Sequence, residues 1–318
     1  MNFILLFLKG IAMGAANVIP GVSGGTIAFV TGIYEDFIDA LKSFDAKALK
    51  LALSFKVREL LAHIRFSFLF PLFLGVLISL VSLGKLFDWL FIDHPMLTWA
   101  FFFGLILASV YYVSKNIKRW NSASLISFVI GVSAASSLAF LKPAEENDSF
   151  IYLALCGIVA ICSMILPGLS GSFVLILMGN YQLLVLQTIP NTIDALRSFD
   201  FPAFLGNLKT LLPFAVGAGF GFITLSHVIS FLLKRAHDAT LSVLTGFILG
   251  SLIIIWPWKN ETYLQNETGE FILKEGEKIV QGYQWFSPSF TETSTYLGLG
   301  LILAGIISVA LLERTAQK

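Results

Sequence analysis

Charged side chains are scarce in this sequence. Asp, Glu, Lys and Arg make up 13% of its 318 residues, about half the share of a soluble domain, which excludes an ordinary soluble fold. The 21 basic and 20 acidic residues nearly cancel, to +1, so no basic surface points to nucleic acid as a partner. Cysteine is almost absent. Cys156 and Cys162 share one apolar stretch and read as packed thiols, with neither a disulfide framework nor a metal site. Features of a cleavable leader are also missing. The start lacks a basic cluster, Lys9 falls inside the apolar run, and no small-residue cleavage site follows, so the first segment reads as retained structure. Nothing in the sequence calls for a cofactor.

What is abundant is apolar. Hydrophobic residues make up 56% of the chain and include 30 Phe. Backbone polar groups cannot be left unpaired in hydrocarbon, so long apolar runs of this kind must be helical. The expected fold class is an all-α polytopic membrane protein.

The chain contains an internal repeat. Residues 20–34 read PGVSGGTIAFVTGIY and residues 167–181 read PGLSGSFVLILMGNY, at an offset of 147. IDALKSFD from Ile38 recurs as IDALRSFD from Ile193, and Pro71, Gly75 and Gly104 fall on Pro213, Gly217 and Gly246 at an offset of 142. Two copies are therefore expected, 1–141 and 150–312. Each holds three runs long enough to cross a bilayer: 66–91, 97–114 and 123–141, then 208–233, 240–257 and 294–312. The motif-bearing regions 2–34 and 150–181 are each two shorter arms around a Pro-Gly break. An arm of 12–15 residues reaches only ~18–22 Å, short of the ~30 Å hydrocarbon core. Each region is expected to be a re-entrant hairpin; a kinked helix crossing once is the alternative.

One hairpin and three crossings make an odd number of passages, so the second copy enters from the opposite face, giving inverted-topology repeats. Charge agrees. With 35–65 in the cytoplasm, inside segments hold 13 Lys and Arg and outside segments six, which places both termini inside. Residues 45–65 set Leu49, Leu53, Val57, Leu60 and Ile64 on one helical face among basic residues, suiting an interfacial helix on anionic lipid or a plain connector. Residues 259–292 read as an acidic extracytoplasmic polar loop, with Asn-x-Thr triplets at Asn260 and Asn266.

The breaks carry the candidate site. Pro20 disfavours helix in the residue before it, Gly21, Gly24 and Gly25 permit close approach, and Ser23 and Thr26 supply hydroxyls, with Asn17 just upstream. The start of the returning arm would offer free amides and a positive dipole end to an anion. Copy two repeats this with Ser163, Pro167, Gly168, Ser170, Gly171 and Ser172. Tight helix packing through small residues is the competing explanation. Lys85 and His227 occupy equivalent positions in the repeats and are candidate cations for a phosphate; alternatively Lys85 snorkels to the interface or pairs with Asp88. Glu35 and Asp36 follow the first hairpin and are candidates for ion coupling, or for a solvated hairpin end.

With those residues in view, the chain resembles the bacterial polyprenyl-phosphate transporters of the PopT family. KGIAMGAANVIPGVSGGTIAFVTGIYE and LPGLSGSFVLILMGNY carry the resemblance most specifically, and it covers nearly the whole chain. It implies movement of undecaprenyl phosphate from the outer to the inner leaflet of the bacterial cytoplasmic membrane, recycling the carrier for cell-wall synthesis. The partners implied are the polyprenyl phosphate and the bilayer, with a homo-oligomer compatible. Neutralising the head with a proton would remove the cost of moving a dianion against a negative-inside potential, ~2.3 kcal/mol per charge per 100 mV. A transporter of a small anionic solute is the second reading. The third is an undecaprenyl-pyrophosphate phosphatase, whose similar motif continues with Arg. Here Gly24 and Gly171 hold that position, and the carboxylates that phosphoryl transfer needs are missing from both breaks. The expectation is a carrier and not an enzyme.

Overall fold

A computed structural model describes residues 2–18, 23–263, 273–274, 277–278 and 280–316. The first apolar arm is α1 (Phe3–Val18). Beyond the break, α2 (Gly24–Val30) begins at Ser23, whose side chain caps it by accepting from the Gly25 amide. The chain reverses between them: Gly24 N bonds Asn17 Oδ1 at the break, and Lys9 Nζ reaches Thr31 O at the open end. Gly32 (φ +70°) then turns the chain into α3 (Tyr34–Lys42). Copy two does the same. α9 (Phe150–Ile165) is followed by α10 (Gly171–Leu177), which returns beside it so that Tyr152 Oη donates to Met178 O. Gly179 (φ +73°) makes the equivalent turn, into a π-helical segment Gln182–Thr188 and α11 (Ile189–Arg197). Both turns need a left-handed residue, the conformation that glycine adopts without a Cβ penalty.

Between and after the hairpins come the long helices. α6 (Phe66–Asp93), α7 (Pro95–Ser114) and α8 (Ser122–Leu138) belong to copy one. α12 (Phe201–Arg235), α13 (His237–Ser251) and α14 (Thr293–Ala316) belong to copy two. Glycines set the spacing. A methyl group on Gly10 would lie 2.1 Å from Leu72 O, and one on its counterpart Gly157 would lie 2.0 Å from Phe214 O. The α1–α6 and α9–α12 pairs thus pack backbone to backbone, as small residues allow in membranes. The later helices exchange partners. Gly104 of α7 abuts Ile302 of α14, and Gly246 of α13 abuts Phe128 of α8. The two copies are interlocked through a core that draws on both, and a smaller cluster around Leu153, Cys156 and Leu184 lies within copy two.

Large apolar side chains cover the outside of these helices. Val81 on α6 is 83% exposed, and Phe220 on α12 and Leu303 on α14 are each more than half exposed. Apolar cover on this scale suits lipid rather than water. By length and composition α6, α7, α12 and α14 can cross a membrane. α8, at 17 residues, is shorter than expected. α13 ends at Ser251 rather than 257, and residues 252–255 continue as turns ahead of Pro257. α12 begins at Phe201, before the expected 208, capped by Asp200, which accepts from Ala203 N.

Two further expectations are corrected. Residues 45–65 are not one helix: α4 (Ala46–Leu53) and α5 (Val57–His63) flank a left-handed Phe55 at φ +56°. Asp45 caps α4 through Ala48 N, and its other partner, His63 Nε2 at 3.0 Å, folds α5 back towards the start of α4. Residues 259–292 are not a plain polar loop, although the fold as a whole is mostly helical, as expected of an all-α membrane protein. β1 (Lys259–Tyr263) pairs antiparallel with β4 (Val280–Trp285), setting Asn260 opposite Gln284; β2 (Leu273–Lys274) pairs with β3 (Glu277–Lys278). Trp285 Nε1 and Trp256 Nε1 tie this ribbon to the bundle through Ile253 O and Phe286 O. Asn266 lies outside the described residues.

Candidate functional site

The two breaks meet. Ser23 Oγ lies 3.1 Å from Met164 O and 3.2 Å from Leu166 O, so its proton is donated to the carbonyl end of α9. Thr26 Oγ1 accepts from Gly168 N at 2.9 Å. Tyr34 Oη donates to Ile165 O at 3.3 Å. Gly25 is held against the same turn, since a methyl group there would fall 2.8 Å from Ile165 O. The positive start of α2 therefore faces the negative end of α9, a favourable arrangement of helix dipoles.

This geometry alters the expected chemistry of break one. Its amides are not free: Gly24 N bonds Asn17 Oδ1 at 2.7 Å, Gly25 N bonds Ser23 Oγ at 3.1 Å, and Thr26 N bonds Ser23 O at 2.9 Å. Pro20 and Gly21 lie outside the described residues. Break two is more open. Ser170 Oγ shares a hydrogen bond with Ser172 Oγ at 2.9 Å and reaches Phe173 N only at 3.5 Å. Among the described residues the amides of Gly171 and Ser172 make no hydrogen bond. Ser163 Oγ is turned back onto Val159 O of its own helix. Pro167 leads into Gly168, whose φ of +81° and contact with Phe247 and Ile248 of α13 leave no room for a side chain. The breaks are alike in sequence but not in state: one is closed by its own side chains, and the other keeps unbonded amides at the buried Gly171 and the half-buried Ser172.

The candidate ions lie elsewhere. His227 Nδ1 is 2.8 Å from Ile223 O of its own helix. The side chain of Lys85 lies outside the described residues. Glu35 meets His237 Nε2 at 3.0 Å and Asp36 meets Arg65 Nη1 at 3.4 Å. Beside them Asp39 accepts from Ser230 Oγ at 3.1 Å and approaches Arg65 and Lys234 at 3.7 and 3.8 Å. The contacts of Glu35 and Asp39 with His237, Ser230 and Lys234 clasp α3 of one copy to α12 and α13 of the other, while Arg65 ties α3 to the start of α6 in its own copy. Lys9 lies outside both motifs yet belongs to the first hairpin. It is 8% exposed, and its ammonium ties the two arms of the first hairpin together. The signal was present, because an ionisable group within an apolar run is rarely idle. Among the described residues no group of three or more His, Cys, Asp or Glu could hold a metal.

A chain of apolar helices wrapped around two touching helix breaks is the architecture of a multi-pass membrane transporter, and comparison with known proteins agrees. Residues 13–272 match the VCA0040-like family, described as undecaprenyl phosphate translocase-like, and the chain belongs to that family. It is 38% identical over 324 residues to a polyprenyl-phosphate transporter of Vibrio cholerae serotype O1, covering 100% of this chain and 98% of the relative. A polyprenyl-phosphate transporter of Staphylococcus aureus is 30% identical over 262 residues, covering 79% of this chain and 85% of the relative. No solved structure matches significantly.

Proposed function

We propose that this protein carries undecaprenyl phosphate, or a closely related polyprenyl phosphate, from the outer to the inner leaflet of the bacterial cytoplasmic membrane, returning the carrier for reuse in cell-wall synthesis. The observation that carries the reading is the joining of the two breaks by Ser23 and Thr26. A phosphate needs amide and hydroxyl donors within low-dielectric surroundings, where they count for most. Gly171 N, Ser172 N and the Ser170–Ser172 hydroxyl pair are such donors. Ser23, Gly24, Gly25 and Thr26 become donors when the breaks part, exchanging their bonds to one another for bonds to phosphate. The described conformation is then the closed state of the site.

In this reading the hairpins are re-entrant, the copies have inverted topology, and both termini are cytoplasmic. The clasp of Glu35, Asp36 and Asp39 sits on the cytoplasmic side and opens as the head leaves. Proton uptake on the head offsets the membrane potential. A carrier is favoured over a phosphatase because, among the described residues, no carboxylate makes a hydrogen bond at either break, and water activation would need one. The test is leaflet-resolved transport of undecaprenyl phosphate in proteoliposomes, with and without a proton gradient. Wild type should move the lipid, and Ser23→Ala with Ser170→Ala should slow it. Release of inorganic phosphate, or faster movement of a soluble anion, would overturn the reading. Movement that ignores a collapsed gradient would remove the proton step alone.

A further inference from the structure

Beside the first break lies a cavity of about 520 Å³, within the ~300–1,000 Å³ range of small-ligand pockets. Ala16 and Ile27, from the two arms of the first hairpin, border it, and α6, α7 and α14 complete the wall. Along α7 the wall runs from His94 to Leu105, a rise of about 16 Å at 1.5 Å per residue. That is about half of a ~30 Å hydrocarbon core, so the cavity extends from the α6–α7 turn to the level of the break.

Among the described residues, this wall offers a phosphate no partner. Thr98 spends its hydroxyl proton on Leu90 O and His94 O, and Ser308 spends its own on Ala304 O. Among the described residues His94, at the turn, is the only ionisable one of the wall, and the remainder is Ala, Ile, Leu and Phe. An ion placed there would lose its hydration with nothing in return.

We propose that the cavity seats the isoprenoid units adjoining the phosphate of the transported lipid, so that the start of the tail enters the protein with the head. The proposal rests on the carrier reading above. The occupant has to be apolar, reach the break, and continue into the bilayer. The first units of a polyprenyl chain do all three, because they are covalently tied to the group that the break handles. A phospholipid acyl chain has no such tie. The protein then recognises the tail by shape where the tail meets the head, and only the distal chain stays in lipid.

Photo-crosslinking tests this. Three probes in proteoliposomes carry a diazirine in the first two isoprene units of undecaprenyl phosphate, at the far end of its chain, or in a phospholipid acyl chain. The proximal probe should label peptides containing Ile27 and Phe102–Leu105, and the other two should label outward-facing residues such as Val81. Ala15→Phe and Ala12→Phe, which fill the cavity from partly exposed positions, should cut proximal labelling at least about tenfold. Binding of inorganic phosphate should not change. Labelling mapped on wild type keeps the test valid if either variant fails to fold. Equal labelling by the phospholipid probe, or proximal labelling elsewhere while wild type still transports the lipid, would overturn the cavity assignment and leave the carrier reading standing. Absence of transport by wild type would instead overturn the carrier reading.

Discussion

Thr26 Oγ1 accepts a hydrogen bond from Gly168 N at 2.9 Å, joining one break to the other across 142 residues of chain. Thr26 is fully buried, so an amide left without that acceptor has no water to turn to. Thr26→Val should cost ~1–3 kcal/mol, the usual penalty for a buried donor left unpaired, while Thr26→Ser should stay near wild type. Thermal unfolding in detergent measures both. Equal midpoints for Val and Ser would show that the bond contributes nothing.

Ser23 and Ser170 are equivalent in sequence but not in bonding. Loss of either helix cap costs ~0.5–2 kcal/mol. Ser23 also donates to the end of α9, whereas Ser170 has only its own cap and Ser172. Ser23→Ala should therefore destabilise more than Ser170→Ala. Side-by-side denaturation and transport assays decide it, and matched losses would contradict the asymmetry.

Asp39 links α3 to α12 through Ser230 and Lys234, and also approaches Arg65. These ion pairs are long and partly exposed, so Asp39→Ala should lower stability by less than about 1 kcal/mol. If the clasp opens during transport, the same variant should change the rate of lipid movement. Asp39→Lys should slow transport by setting a third cation beside Arg65 and Lys234, and adding Lys234→Asp should partly restore it. No change in rate for any of the three would remove the clasp from the mechanism.

Asp45 supplies a pH test outside the apolar helices. The Ala48 amide first, and then His63, hold its carboxyl below the ordinary value of 3.8. A depressed carboxyl contributes stability that is present above 3.8 and lost as pH falls through the lower folded value. The protection of α4 amides, measured as the ratio of intrinsic to observed exchange rate at each pH, should fall as the pH drops below 3.8. Asp45→Asn keeps an acceptor for the cap and should flatten the response. Protection that stays constant with pH in wild type would refute the linkage.

Much of this was legible in the chain itself. The scarcity of charge, the paired PGxSG motifs and the recurring glycines announced a helical membrane protein with two similar helix breaks, because hydrocarbon tolerates little but helix and proline and glycine interrupt it. The β-ribbon was missed because its strands are short and polar, and Trp256 and Trp285, which anchor it, resemble interfacial aromatics. The split of 45–65 was missed because the apolar face passes from Leu53 to Val57 without a gap, and only the left-handed backbone at Phe55 reveals the turn.

The sequence by itself determined where the chain must break and that it breaks twice, since proline and glycine act on their own backbone and on the residue before. Tertiary structure alone decided what the breaks do to each other. Ser23 and Ser170 are the same residue in the same motif, but one faces the carbonyl end of α9 and the other faces its own helix. Hydrogen bonding depends on distance and direction across 141 residues of chain, and no local pattern encodes that.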